Sequence, residues 1–432
     1  MRITMVAIGS TGDTRPYVIL GRELKRRGHD VTICAFSVFE EMVLKEGLHF
    51  KPIPGDAKSF MGNIMNGSNG MMFLKQVIEA IRPYVDPFLE ALEKGCEDAE
   101  VIIGSYFGEV VKSIAEIKHV PYIQTHYFPM DKNAATPISS APGQHMGKGW
   151  SLFSYSLGYT VISLIEIHFL ADWRKARGMQ PRKVEAAPIN ELNGHPVPTL
   201  YAMSPLVMPR PNTWDENIHM TGYWLDKQPA SFQPSAEITA FLEAEPTRPI
   251  YIGFGSMVSA DMNDTLDIVL RSIDKAGLRA VISTGWGGAD IPKKDNIFAA
   301  DYVSHAWLFN QVSAVVHHGG AGTFAAGILA GRPSLIIPFG GDQPFWASRA
   351  EALGLGPKSI RHSQLTVHQL TRALTDLTQT KKYRIAAQEL GQRLRMENGV
   401  TNAANIIEHE LRKWLRQEGM DPGLVPKHEE AE

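Results

Sequence analysis

The stretch "AVVHHGGAGTFAAG", Ala314 to Gly327, runs from an apolar segment through two histidines and a glycine cluster into small helix-forming residues. Val315 and Val316 read as the end of a buried strand, and Thr323 onward reads as the first turn of a helix, so the glycines occupy a strand-to-helix turn. Such a turn leaves backbone N–H groups free at the positive end of the helix dipole, which is an anion site needing no lysine. A Walker A loop is excluded, because Gly319-Gly320-Ala321-Gly322-Thr323 is too short and has no Lys. On their own the glycines are equally consistent with a plain tight turn.

Outward from this turn the chain alternates strands and helices. "ITMVAI", "RPYVILGRELKRRG" and "VTICAF" form a βαβ unit, and "VIIGS", "VPYIQTHY" and "TLYAMS" add strands, giving a first α/β layer with a parallel sheet. Between Tyr127 and Leu192 the alternation gives way to a Gly/Ser/Pro-rich loop and the aromatic, apolar helical stretch Trp150 to Trp173, too polar to span a bilayer. After a proline-spaced linker a second series follows at "PIYIGFGS", "RAVIST", "NIFAADYV", "SAVVHH" and "SLIIPF". The expected organisation is a first domain over 1–222, a linker over 223–235, a second domain over 236–400, a helix over 401–418 packing back toward the first domain, and a tail over 419–432. Two such halves imply a cleft lined by the carboxyl ends of the strands.

Composition narrows the function. The chain has 432 residues, 44% hydrophobic and 21% charged, as in ordinary globular proteins of two or three domains. A net charge of -3 gives no general attraction for nucleic acid, and no nucleic-acid partner is expected. Cys34 and Cys96 read as packing thiols of a reducing compartment, and "MRITMVAIGS" enters a strand without the features of a signal peptide, so the expected location is cytoplasmic.

The glycine- and carboxylate-rich spots all follow strands: Gly9-Ser10-Thr11-Gly12-Asp13, Gly253-Phe254-Gly255-Ser256 and Gly340-Gly341-Asp342-Gln343. The first is not a dinucleotide fingerprint, since it is spaced G-x-x-G and the second strand ends in Phe36-Ser37 rather than an acid.

Together, "GSTGDTRPYVILGRELKRRGHDV", "YIGFGSM", "STGWGG", "SHAWLFNQVSAVVHHGGAGTFAAGILAGRPSLIIPFGGDQPFWASR" and "LTVHQL" resemble the family 1 glycosyltransferases of GT-B fold, nearest to the sterol 3-beta-glucosyltransferase branch and a step further from antibiotic glycosyltransferases. The resemblance spans nearly the whole chain and is strongest from Ile250 to Arg349. It implies an α/β chain of two Rossmann-like parallel-sheet domains facing across a cleft, with a UDP-sugar co-substrate in the second and an acceptor in the first. It further implies that His318, Gly320, Gly322, Thr323 and the opposing Ser256 surround the donor phosphates, and that Asp342 and Gln343 bind the sugar hydroxyls. Trp286 and the segment Val303 to Trp307, with Val303 and His305, fall where the family holds the nucleobase. His317 is expected to be a core histidine. The ribose-binding glutamate of plant members would fall at Ala326, so the ribose is held otherwise.

Asp13 stands where plant members carry a catalytic histidine; a carboxylate there serves as base for an acceptor hydroxyl, the plain alternative being a helix N-cap before Thr14-Arg15-Pro16. No Asp-x-Asp occurs, so no metal and no cofactor are expected, phosphate charge being met by the helix N-terminus and His318. The expectation is an inverting hexosyl transfer to a hydroxyl of an apolar acceptor, a sterol or polyketide, with transient contact at a membrane surface. Other readings are an antibiotic or macrolide glycosyltransferase, a nucleotide-sugar epimerase, or a sugar-nucleotide-binding module without catalysis. Fungal sterol enzymes carry extra N-terminal lipid-binding domains, and because this chain opens at a strand, a minimal bacterial version is expected.

Overall fold

The structure, a computed structural model, describes residues 1–55, 85–105, 108–138, 141, 146–226, 232–255, 262–283, 291–301 and 303–426. Two compact units divide the chain. Unit 1 comprises Met1–Pro205, Pro209–Trp224 and Asn398–Glu432; unit 2 comprises Leu206–Met208 and Leu225–Glu397.

In unit 1 the strands are β1 (Arg2–Val6), β2 (Asp30–Phe36), β3 (His49–Ile53), β4 (Val101–Gly104), β5 (Tyr122–His126), the short hairpin β6 (Glu191–Leu192) and β7 (His195–Pro196), β8 (Thr199–Tyr201) and β9 (Ile218–Met220). Seven of them form one parallel sheet in the order β3-β2-β1-β4-β5-β8-β9. The central strands are continuous apolar runs because both faces are covered by helices: Ile102 and Ile103 on β4 are fully buried, as is Met5 on β1. The helix Thr11–Arg26 returns the chain from β1 to β2, and the helix Gly108–Lys118 returns it from β4 to β5. The two crossovers run in opposite directions along the sheet, so the right-handed rule puts their helices on opposite faces. The strand order reverses between β1 and β4, and the turn after β1 sits at that switch point.

Three elements were not read from the sequence. β3 carries His49, Lys51 and Pro52 at the sheet edge, where a missing N–H is tolerated and polar residues are solvated. β9 and the β6–β7 hairpin are only two or three residues long, too short to show a period.

Unit 2 holds β10 (Ile250–Gly253), β11 (Ala280–Ser283), β12 (Ile297–Ala300), β13 (Val315–His317) and β14 (Ser334–Ile336) in one parallel sheet of order β12-β11-β10-β13-β14. β10 is central, with β11 on one side and β13 on the other, so again the order reverses there. The register pairs Gly253 with His317, which brings the ends of β10 and β13 level. Leu206–Met208 joins unit 2, where the Val207 carbonyl accepts two hydrogen bonds from the Arg349 guanidinium.

The helix Gly399–Gln417 belongs to unit 1 and packs against the helix Thr11–Arg26. It starts on a glycine because a Cβ at residue 399 would lie 2.4 Å from the Tyr223 carbonyl oxygen. Buried Glu408 then meets Arg27 at 3.3 Å and His29 at 3.2 Å, and Arg27 also donates to Asn405. Burying such a carboxylate is tolerable only with these partners in place. Cys34 and Cys96 are both buried and free.

Candidate functional site

Unit 1 contributes the turn after β1. The helix Thr11–Arg26 is capped by Ser10, whose hydroxyl accepts from the Gly12 N–H, while the Asp13 carboxylate reaches back so that its Oδ2 accepts from the Ser10 N–H at 2.7 Å and the Ser10 hydroxyl at 2.9 Å. Asp13 is therefore the third helical residue of a capping box, not the N-cap, and Pro16 lies inside the helix, not in its first turn. Gly9 makes this possible: its φ is +147°, and a Cβ there would fall 2.3 Å from Asp13 Oδ2. The Asp13 carbonyl accepts from the Tyr127 hydroxyl at 2.9 Å. Burial raises the Asp13 pKa, and the Ser10 hydrogen bonds oppose that shift. Both Ser10 donors converge on Oδ2.

Unit 2 contributes the turn after β13. His317, the last residue of β13, is fully buried, and its Nδ1 accepts from the Gly319 N–H at 3.0 Å. The proton consequently sits on Nε2, a buried donor with no partner among the described residues, and burial keeps the ring pKa well below the ordinary histidine value. His317 is thus more than a core residue: it pins Gly319, whose φ of +98° turns the chain into the glycine cluster. Sequence reasoning missed this brace because nothing in "HH" distinguishes which ring bonds the chain two residues on.

The helix Ala321–Leu329 has Gly320 as N-cap, which offers no side-chain oxygen, and its first backbone bond is from the Phe324 N–H to the Gly320 carbonyl. The N–H groups of Ala321, Gly322 and Thr323 precede that bond and are uncapped, as an anion-binding helix start requires. A Cβ on Gly322 would meet nothing within 4 Å among the described residues.

The His318 ring is wedged between two glycines. A Cβ on Gly255, the second residue past β10, would come within 2.9 Å of its Cε1, and one on Gly320 within 2.6 Å of its Nε2. Its buried Nδ1 has no hydrogen-bond partner among the described residues. Burial lowers the ring pKa to about 4, with a smaller opposing effect from a hydrogen bond to the Gly253 backbone, so the imidazole is neutral at pH 7.

The turn after β14 abuts the same glycines, since a Cβ on Gly319 would lie 3.2 Å from the Cβ of Gln343. Gln343 is buried, and its Oε1 braces the turn by accepting from the N–H groups of Phe339 at 2.7 Å and Gly340 at 3.2 Å. Asp342 occupies the N-cap position of the helix Gln343–Ala352 without capping it; its Oδ2 accepts from the Trp346 indole N–H at 2.7 Å. The capping role open to Asp342 from its place in the sequence is therefore not used.

Val303 and His305 follow β12, at the start of the short helix His305–Leu308. The His305 ring stacks on Phe309 with centroids 4.5 Å apart and meets the Tyr251 hydroxyl at 3.2 Å. Ala326 is half-buried on the helix Ala321–Leu329. Ser256 and Trp286 lie outside the described residues. Within unit 2, then, Gly255, His317, His318, the glycine turn and Gln343 are brought together around one helix start. Among the described residues no group of three or more His, Cys, Asp or Glu side chains is placed to hold a metal ion.

Residues 3–137 match the glycosyltransferase family 28 N-terminal domain, and residues 285–408 match the C-terminal domain of erythromycin biosynthesis protein CIII-like proteins. The sterol 3-beta-glucosyltransferase of Aspergillus clavatus is 33% identical over 425 residues, and that of Cryptococcus neoformans var. neoformans serotype D is 34% identical over 442 residues. Each alignment takes in 95% of this chain but only 30% and 27% of the respective relative, so the chain spans under a third of their length. Among solved structures, the calicheamicin glycosyltransferase CalG4 superposes with a TM-score of 0.68 at 19% identity, covering 96% of this chain and 98% of its own. The glycosyltransferase VinC, solved in complex with dTDP, gives a TM-score of 0.62 at 17% identity, covering 94% and 98%. At these identities the likeness establishes the fold.

Proposed function

We propose, from the premise that the chain belongs to the glycosyltransferases of GT-B fold, that it is an inverting transferase moving a hexose, glucose by preference, from a UDP-sugar to a hydroxyl of a sterol or similar apolar acceptor. The observation that carries this reading is the glycine turn of unit 2, an uncapped helix start beside His318, whose buried Nδ1 has no partner among the described residues. A diphosphate supplies what that site lacks: acceptor oxygens for the N–H groups and negative charge for the helix dipole. His318 takes a phosphate oxygen, with Gly320, Gly322, Thr323 and Ser256 around the same group; Asp342 and Gln343 hold the sugar; Trp286, Val303 and His305 hold the base. Unit 1 supplies Asp13, whose Oδ1 removes the acceptor proton as its oxygen attacks the anomeric carbon. The leaving UDP is stabilised by the helix start and His318, with no metal or cofactor. The sterol assignment is supported by the sterol 3-beta-glucosyltransferase relatives.

We place the enzyme in the cytoplasm, in peripheral contact with lipid. No single helix among the described residues is long and apolar enough to cross a membrane. The helix Lys148–Ala176 nonetheless exposes Phe153, Leu157, Val161 and Leu164, spaced to fall on one side of it. Such a stripe suits the headgroup boundary of a bilayer, where the acceptor also resides.

The test is incubation with UDP-glucose and a sterol panel, following acceptor-dependent UDP release and the linkage formed. One displacement on an α-linked donor gives a β-glycoside; an α-glycoside excludes the mechanism, and UDP release without acceptor dependence excludes the transferase. Turnover that needs added magnesium after chelation would overturn the metal-free donor site.

A further inference from the structure

The turn that carries Asp13 is held by less of its own helix than the turns that follow it. In an α-helix each N–H donates to the carbonyl four residues back, and Pro16, inside the helix Thr11–Arg26, has none to give. The Gly12 carbonyl therefore lacks its helical donor, and the Pro16 ring crowds it. Gly12 is itself a poor helix former. The break in the ladder falls beside Asp13, between the capping box on Ser10 and the regular turns from Tyr17 onward.

β5 and the residue after it span that break. Side chains alternate along an extended chain, so Thr125 and Tyr127 share one face about 7 Å apart, while residues four apart on a helix lie about 6 Å apart along one side. The spacings match, and each end makes a hydrogen bond. The Tyr17 hydroxyl meets Thr125 Oγ1 at 2.5 Å, and Thr125 in turn donates to the Gly104 carbonyl of β4 at 3.1 Å. One turn earlier, the Tyr127 hydroxyl donates to the Asp13 carbonyl at 2.9 Å. The Tyr17, Tyr127 and Trp224 rings are all buried and form a triangle, with centroids 6.2 Å apart for the two tyrosines and 6.3 Å from each of these to Trp224. Trp224 is fixed by its indole N–H, which donates to Thr221 Oγ1 at 2.9 Å.

The two bonds are not equivalent. Tyr17 is tied down where the helical ladder is regular again, whereas Tyr127 acts on the broken turn, at the residue whose carboxylate accepts from Ser10. Among the described residues the titratable side chains that face Asp13 are those of Tyr17 and Tyr127, and burial holds both phenols above their ordinary value. Each is a neutral hydroxyl throughout the range in which a carboxylate titrates.

We propose that Tyr127 is a positioning residue for Asp13: its hydroxyl stands in for the helical bond that Pro16 cannot make, and so keeps the Asp13 carboxylate on the Ser10 donors. For the reaction, this role rests on the reading of Asp13 as the base.

The experiment follows the carboxyl itself, by carbon-13 NMR titration of the full chain with labelled aspartate, the Asp13 resonance being the one missing from Asp13→Asn. Tyr127→Phe keeps the ring against Tyr17 and Trp224 and removes only the hydroxyl. A loosened turn gives up the Ser10 hydrogen bonds that pull the Asp13 pKa down while the rings keep it buried, so its titration should move to higher pH. Tyr17→Phe removes the other bond and should leave that titration in place. Adding Pro16→Ala to Tyr127→Phe returns an N–H to the Gly12 carbonyl and should bring the titration back. Per UDP-binding site counted by calorimetry, Tyr127→Phe should lower kcat by about ten-fold or more with the donor KM within about two-fold, since a misplacement of ~1 Å can cost ~10²-fold. An Asp13 titration that is unchanged or lowered in Tyr127→Phe overturns the proposal. So does an equal rise in Tyr17→Phe, which would mark a general loss of packing. If Tyr127→Phe alone does not fold, its pairing with Pro16→Ala decides: a folded pair with the parental titration supports the role, and an unfolded pair overturns it. Failure of the base reading shows separately, as full turnover in Asp13→Asn, while the NMR titration still reads whether Tyr127 holds that carboxylate.

Discussion

Replacing Asp13 by Asn separates the two jobs this carboxylate holds. Oδ2 carries the capping box, accepting both Ser10 donors at 2.7 and 2.9 Å, and an Asn carbonyl oxygen in that place can accept the same two. The amide nitrogen then falls where Oδ1 was, so a donor replaces the proton acceptor. Asp13→Asn should leave stability within about 0.5 kcal/mol and UDP affinity unchanged, because only neutral for charged acceptance is exchanged at the helix start. Asp13→Ala loses both hydrogen bonds and should cost about 1–2 kcal/mol, the usual effect of deleting a cap, or roughly 2–8 °C in melting temperature for a unit of this size. Turnover should fall by about 10²–10⁴-fold in both variants, since the general base is gone from each. The assays are thermal unfolding, calorimetric UDP binding and acceptor-dependent UDP release. An Asn variant that unfolds like the Ala variant refutes the capping geometry; one that turns over within a few-fold of the parent refutes Asp13 as the base and leaves it a structural residue.

Gly320→Ala keeps an ordinary backbone conformation, φ -63°, but its Cβ would lie 2.6 Å from His318 Nε2, so the protein should fold while calorimetric UDP affinity drops by about ten-fold or more as the ring is displaced. His318→Ala should weaken UDP by about 1–3 kcal/mol, the scale of a hydrogen bond to a charged group, and an unchanged dissociation constant would return His318 to a packing role. In the pH profile of kcat/KM, activity requires ionised Asp13 and must fall as pH drops through its pKa; because burial raises that pKa, the acidic limb should lie above the ordinary carboxylate range and vanish in Asp13→Asn. A limb persisting in the Asn variant assigns it to another group.

What could be read from the residues alone was whatever depends on neighbours in sequence. The buried strands showed as apolar runs, "VIIG" and "AVVH" among them, because a parallel strand covered on both faces has no polar side to present. The glycine turn after β13 was legible because a strand-to-helix switch with three glycines is a local chemical signature, and Asp13 because it closes a similar turn after β1. The short and edge strands were not legible, since three residues cannot display a period and an edge tolerates His49, Lys51 and Pro52. Only the tertiary structure decided between equivalent local readings. Asp13 and Asp342 both stand at helix starts; Gly9 lets the first fold back onto Ser10, while Trp346, one turn along, draws the second away from its helix. His317 and His318 are adjacent and identical, yet strand alternation buries one against its own loop and wedges the other between Gly255 and Gly320, residues contributed by two different strand ends. The return of Gly399–Gln417 to unit 1 likewise rests on Glu408 meeting Arg27 and His29, partners nearly four hundred residues away in sequence. Distances of that kind are set when the sheets close and the helices dock, because hydrogen bonds and packing act through space and local sequence fixes only which groups are on offer.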